Sequence, residues 1–229
     1  LRARARAVLP GGSTHVARSY APSMYVVRAS GSRKWLVDGR ELIDYTMGHG
    51  ALLLGHAHAS VVRAVREQVA KGTHYGAGHP LEIEWAELIH SLVPSAEMLR
   101  FTSSGTEATM LALRLARAAT GRDTVVKIDD HFNGWYDSVS VDLDEAGTPR
   151  PAPGVPQFNA TLTRVVAADD FEVLQAALEP GDVAAVILEG SGAHYGRSPI
   201  EPSFVAEIRA VCDRTGTLMV LDEVVTGFR

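Results

Sequence analysis

The residues predict an α/β fold built on a parallel sheet with helices on both faces. Three observations predict it. Short β-branched runs alternate with helical periods from Ala108 onward, those runs read as buried strands, and carboxylates follow directly on two of them, at the strand ends where parallel sheets carry their chemistry. The chain has 229 residues, 46% apolar and 21% charged, enough for one large domain or a domain and a half. Disorder, collagen and coiled coil are thereby excluded. Twenty-two Lys and Arg against 27 Asp and Glu leave a net charge of −5, and the charges are scattered, so there is no footprint for nucleic acid or membrane. A small-molecule partner is expected. The single Cys212 cannot form an internal disulfide, and the apolar runs Ala51–Leu54, Ala184–Leu188 and Leu218–Leu221 are too short to span a bilayer, which points to a cytoplasmic protein.

In chain order, Leu1 to Arg6 reads as part of a first helix rather than a targeting segment. Asp38-Gly39, set between the partly apolar runs Trp35–Val37 and Leu42–Tyr45, predicts a β-hairpin. Val61, Val62, Val65 and Val69 recur at helical spacing between Ala59 and Lys71, and Ile83, Ala86, Leu88 and Ile89 do so between Glu82 and Leu92, predicting two amphipathic helices. The alternating part follows: a helix over 108–119, strands over 124–128 and 164–168, a helix over 172–178, a strand over 184–189, a helix over 203–214 and a strand over 217–222 that reads as central to the sheet. Between Gly147 and Pro156, Pro149, Pro151, Pro153 and Pro156 exclude helix and central strand, so a surface loop is expected there.

Three groups of residues carry chemistry. Ser104 is a candidate N-cap with Glu107 at capping-box spacing, and Gly105 and Thr106 open the helix with unpaired N–H groups suited to a phosphate. His131-Phe132-Asn133-Gly134-Trp135-Tyr136 sets aromatic side chains around turn chemistry at the same sheet edge, where a flat ring can stack. Asp222-Glu223 follows directly on Leu218–Leu221, and Glu189 on Ala185–Leu188. A carboxylate so placed needs a cation or several donors, so Asp222 is expected to face a positive partner. His56 and His58 are given neither a metal nor a base role. A phosphate cradle, an aromatic platform and a buried acid together suit a phosphorylated, planar, cationic heterocycle.

The run Val93 to Ala108, Arg114-Leu115-Ala116-Arg117, Thr120-Gly121-Arg122 and Asp222 to Arg229, together with Leu9-Pro10-Gly11-Gly12 and Gly55-His56, closely resembles the class III aminotransferases that use pyridoxal phosphate (PLP). Within them the chain is most similar to the glutamate-1-semialdehyde 2,1-aminomutase branch, of which it matches the N-terminal portion. The resemblance implies a PLP-dependent transferase of fold type I: a three-layer α/β/α large domain over 55–229, incomplete before its C-terminal lobe, and an N-terminal segment over 1–54 forming a small lobe or subunit contact. It implies that Ser104, Gly105 and Thr106 bind the cofactor phosphate, that Phe132 beside Asn133 stacks on the ring, and that Val224 packs its other face. It further implies that Asp222 is the acid paired with the pyridine nitrogen, Glu189 an acid near the cofactor, and Arg18 an arginine near the substrate carboxylate. Ser103, Phe132-Asn133-Gly134 and His15-Val16-Ala17-Arg18 depart from the family's usual Asn, Tyr-His-Gly and Ser-Pro-Val-Arg, and His49 stands where the aminomutase carries an aromatic. The expected activity is therefore transfer of an amino group between an amine or amino acid and a carbonyl acceptor by a homodimer. The aminomutase itself, or a lysine-free binder of PLP, are the alternatives. The resemblance implies that the family's Schiff-base lysine lies after the Asp222 strand, beyond Arg229; Lys34, Lys71 and Lys127 sit in the wrong contexts to replace it, so this chain alone is expected to be inactive.

Overall fold

The computed structural model describes residues 1–15, 18 and 20–228, the side chain of Tyr195 excepted; Val16 and Ala17 of the N-terminal motif and Arg229 of the C-terminal one lie outside these residues. The chain falls into two compact units, Leu1–Glu82 and Ile83–Arg229.

The first unit opens with α1 (Arg2–Val8) and continues into an antiparallel sheet of β1 (Val26–Ser30), β2 (Arg33–Leu36) and β3 (Glu41–Ile43), in that order. The Asp38-Gly39 turn closes the expected hairpin: Leu36 N–H donates to the Arg40 carbonyl at 2.9 Å, and Asp38 Oδ1 accepts from Arg40 N–H at 3.1 Å. Strand β1 was not legible, because Val26-Val27-Arg28-Ala29-Ser30 lacks clean alternation; it is held in part by the Arg28 guanidinium, 3.5 Å above the Trp35 ring. Just after β3 the buried Asp44 pairs with Lys34 at 2.9 Å and His56 at 2.6 Å and accepts from the N–H groups of Thr46 and Met47. These donors hold its carboxyl well below the usual range against the desolvation that burial imposes. Helix α2 (Ala59–Val69) forms as its periodicity predicts, yet Val61, Val65 and Val69 stand exposed.

Helix α3 (Pro80–Leu92) leads into the second unit, where α4 (Gly105–Thr120), β4 (Thr124–Ile128), β5 (Val141–Leu143), β6 (Pro149–Pro151), α5 (Gln157–Thr161), β7 (Thr163–Val166), α6 (Phe171–Leu178), β8 (Val183–Glu189), α7 (Ala193–Gly196), α8 (Pro202–Thr215) and β9 (Leu218–Asp222) follow. Strands β7-β4-β8-β9 form one parallel sheet in that order. Every residue of β8 is buried, and its side chains alternate between two cores. Val186 and Leu188 join Leu174 and Leu178 of α6 and Phe204, Ile208 and Val211 of α8 on one face, while Ala185 and Ile187 meet Leu113 and Ala116 of α4 on the other. A sheet covered on both faces needs continuous apolar strands, and the sequence supplies them.

Among the described residues strand β9 lies at the margin of the sheet and is half exposed, with β4 and β8 as the inner strands. One expectation needs correction. The proline-rich stretch is not all loop: Pro149-Arg150-Pro151 pairs antiparallel with β5, with Asp142 opposite Arg150. Prolines fit because Thr148 and Ala152 make the flanking bonds, Asp144 N–H to Thr148 O at 3.0 Å and Ala152 N–H to Ser140 O at 2.9 Å. The two positions without an N–H thus face away from the partner strand.

Candidate functional site

The site sits at the carboxyl ends of β4, β8 and β9, against the start of α4. Ser104 is extended at the N-cap and its Oγ accepts from Glu107 N–H at 3.2 Å. Glu107 Oε2 in return accepts from Ser103 N–H at 2.7 Å, a reciprocal cap shifted one residue from the usual box. The N–H groups of the first turn have no intrahelical acceptor and face outward with the positive end of the helix dipole. A Cβ added to Gly105 would sit 2.9 Å from Val224 Cγ2, so the segment after β9 packs directly on this helix start.

The loop after β4 ties the other ends together. Buried His131 accepts Glu189 N–H on Nδ1 at 2.8 Å, and Phe132 N–H donates to Glu189 Oε1 at 2.8 Å, leaving the Phe132 ring exposed. Asn133 is 1% exposed. Its carbonyl accepts from Thr109 Oγ1 at 2.7 Å, its Nδ2 donates to Asp222 Oδ2 at 3.0 Å, and its Oδ1 has no hydrogen-bond partner among the described residues. Gly134 brings the chain over the helix, and Trp135 N–H donates to Thr106 Oγ1 at 3.3 Å. Asp222 Oδ1 accepts from Val224 N–H at 3.1 Å, and Asp222 pairs in register with Glu189 of the neighbouring strand.

Ser104, Gly105, Thr106, Phe132, Asn133, Glu189, Asp222 and Val224 are therefore joined by a closed chain of contacts within the second unit. Arg18 belongs to the first unit, where it donates to Thr14 Oγ1 at 3.4 Å and borders a cavity of about 460 Å³ with Lys34, Tyr45 and His49. Lys127 is buried against Asp142, and His56 is satisfied by Asp44. Sequence reasoning missed Thr109 and the close approach of Gly134, and it gave His131 no task. Only Asn133-Gly134 carried a signal, as turn chemistry.

Asp222 is half exposed and held by an amide and a backbone N–H, with no cation paired to it among the described residues. A carboxylate supported in this way, an acceptor on Asn133 left open and unpaired helix N–H groups fit a flat ring that is cationic at one end and anionic at the other. Burial raises the proton affinity of Glu189, and the charge of Asp222 adds to it. Burial, reinforced by the Lys127 charge, lowers His131 to about 4.

The unfolded chain protonates His131 near 6.5 and the folded chain only near 4, so the stability its neutral ring contributes is present above 6.5 and is lost as pH falls to 4. Glu189 acts with the opposite sign, its contribution being lost as pH rises through its raised value. Histidine side-chain NMR at about pH 5.5 is expected to find His131 neutral. An ordinary titration of His131 would contradict its role as acceptor for Glu189 N–H.

The model of the class-III aminotransferase family matches residues 15–229. The glutamate-1-semialdehyde 2,1-aminomutase of Methanothrix thermoacetophila is 42% identical over 232 residues, covering 99% of this chain and 54% of that protein. A transaminase solved with PLP bound superposes with a TM-score of 0.91 at 36% identity, over 97% of this chain and 54% of its own. The omega-transaminase of Sphaerobacter thermophilus does so with a TM-score of 0.91 at 34% identity, over 98% of this chain and 54% of its own. The chain thus spans about half the length of the relatives it matches, and its α/β fold is that of the PLP-dependent transaminases. With the family model covering nearly all of its residues, the chain belongs to the class-III aminotransferases.

Proposed function

We propose that this chain is the N-terminal portion of a PLP-dependent aminotransferase that moves an amino group between an amine or amino acid and a carbonyl acceptor. The observation that carries the reading is Asp222, fixed at the end of β9 by Asn133 and Val224 beside the capped start of α4. PLP, when bound, supplies an electron sink for the carbanion left as the substrate loses its proton. The chain's own residues do the rest. The N–H groups of Gly105 and Thr106 and the hydroxyls of Ser104 and Thr106 hold the phosphate, Phe132 and Val224 confine the ring, and Asp222 keeps a proton on the ring nitrogen. Glu189 ties the Phe132 backbone to β8. The resemblance assigns Arg18 to the substrate carboxylate, and it assigns the reactive lysine to sequence after Arg229.

The complete protein is proposed to work as a cytoplasmic homodimer on small-molecule donors and acceptors, with no nucleic acid or membrane partner. No helix among the described residues is long and apolar enough to cross a membrane. The exposed Val61, Val65 and Val69 of α2 and Leu88 and Leu92 of α3 are apolar surface that a subunit contact would cover. The kinship with aminomutases favours one second reading, the aminomutase itself. The two differ in stoichiometry, since a mutase turns over one substrate and a transaminase requires a separate acceptor.

The test is PLP binding by the complete protein, followed by its visible absorbance. Thr106→Ala removes one hydrogen bond to a charged group, a loss of about 1.5–3 kcal/mol, and is expected to weaken PLP roughly ten- to a hundredfold while changing turnover less at saturating PLP. No absorbance change on adding PLP to the wild-type protein would overturn the reading.

A further inference from the structure

Before Asp38 the chain carries no acidic residue, although Arg2, Arg4, Arg6, Arg18, Arg28, Arg33 and Lys34 all fall there. Three of these cations are partnered within the first unit: Arg28 by the Trp35 ring, Arg33 by Glu41 and Lys34 by Asp44. Arg2, Arg6 and Arg18 make no ion pair among the described residues and instead line one cavity of about 400 Å³. Arg2 and Arg6 lie four apart on α1, so they share one face, where two like charges repel. The Pro10–Gly12 turn brings that face onto the segment that follows: Arg6 Cγ lies 3.0 Å from the place a Cβ on Gly12 would take. Arg18 gives one N–H to Thr14 Oγ1 at 3.4 Å. Tyr20, Ser23 and Tyr25 add hydroxyls to the lining, and no Asp or Glu among the described residues joins them. Tyr25 is tied to the sheet through its carbonyl, which accepts from Val37 N–H at 3.0 Å.

We propose that this cavity binds the dianionic end of a small molecule, a phosphate monoester or a dicarboxylate, with Arg2 and Arg6 selecting the second charge. Its volume falls among those of small-molecule sites, about 300–1,000 Å³. Three guanidiniums facing one cavity, with hydroxyls beside them, suit an anion that carries more than one charge and several acceptor oxygens. Arg18 also borders the cavity that holds Lys34 and His49, so the same guanidinium serves both. The site goes beyond the proposed amino-group transfer, and nothing in it depends on PLP or on Asp222.

Calorimetric titration of the complete, PLP-loaded protein tests the site, since bound PLP keeps the probes off the cradle at Ser104, Gly105 and Thr106. At about pH 8 and low salt the probes are inorganic phosphate and succinate, both dianions, and acetate as the monoanion. At least one dianion is expected to bind the wild type roughly tenfold or more tighter than acetate, and the tighter of the two identifies the group. Arg2→Gln/Arg6→Gln removes two charges while keeping most of the side-chain length, and is expected to weaken that binding roughly tenfold, as two exposed guanidiniums allow. Arg4→Gln removes a charge from the same helix outside the cavity and is expected to change the affinity by less than about twofold. Arg6→Gln alone is expected to show part of the loss and serves if the double variant does not fold. Four results would each overturn the site: no binding of either dianion, equal binding of acetate, unchanged affinity without Arg2 and Arg6, or an equal loss per charge in Arg4→Gln. Failure of the wild type to take up PLP overturns the proposed function instead, and the dependence on Arg2 and Arg6 in the unloaded protein still decides this site.

Discussion

Asp222→Asn in the complete protein is expected to keep PLP bound and to lower amino-group transfer by roughly two to four orders of magnitude. The size follows from the charge. Removing one member of a buried ion pair costs about 3–5 kcal/mol, and each 1.36 kcal/mol of barrier is tenfold in rate. Retention of PLP follows from the geometry, because the cradle at Ser104, Gly105 and Thr106 belongs to α4 and its cap, which the substitution does not touch. The fold also survives. An asparagine at 222 keeps one acceptor oxygen, so it retains one of the two bonds now made by Asn133 and Val224 and loses the other, a cost of about 1–3 kcal/mol. Single-turnover rates and PLP content measured on the same preparation check both halves. Near-normal transfer by this variant would make Asp222 a structural acid and sink the central assignment.

What the sequence made legible follows from where each signal is local. Strands β4 and β8 are buried on both faces, so they had to be continuous apolar runs, and their limits were readable nearly to the residue. The start of α4 was readable because Ser104 and Glu107 announce a cap within four positions. Asp222 and Glu189 stood out as acids directly after apolar runs, an arrangement with few bland explanations. The role of Asn133 was hidden, since its bond to Asp222 joins residues 89 positions apart. Its apparent meaning in the sequence was a turn. His131 was masked by the aromatics around it, and nothing in a histidine's identity says that its Nδ1 will accept a backbone N–H from another strand.

Gly134→Ala is expected to be the most damaging single methyl in the site. Gly134 has φ +104, a region that costs an L-residue about 1–3 kcal/mol, and a Cβ there would lie 2.8 Å from Thr106 Oγ1 and 2.9 Å from Thr106 Cα. The hydroxyl could rotate away, but Cα is helix backbone and cannot. Relief therefore requires the loop to lift off α4, which pulls Trp135 N–H from Thr106 Oγ1 and shifts Asn133 against Asp222. Gly147 supplies the control, with φ +75 and nothing within 4 Å of its added Cβ, so Gly147→Ala incurs backbone strain without the collision. In denaturant unfolding of the complete protein, Gly134→Ala should lose about 2–4 kcal/mol and Gly147→Ala about 1 kcal/mol. PLP affinity should fall only in the former, because only that change disturbs the cradle and the acid together. Equal losses in the two variants, with PLP binding unaltered in both, would mean that the loop does not rest on the helix start as described.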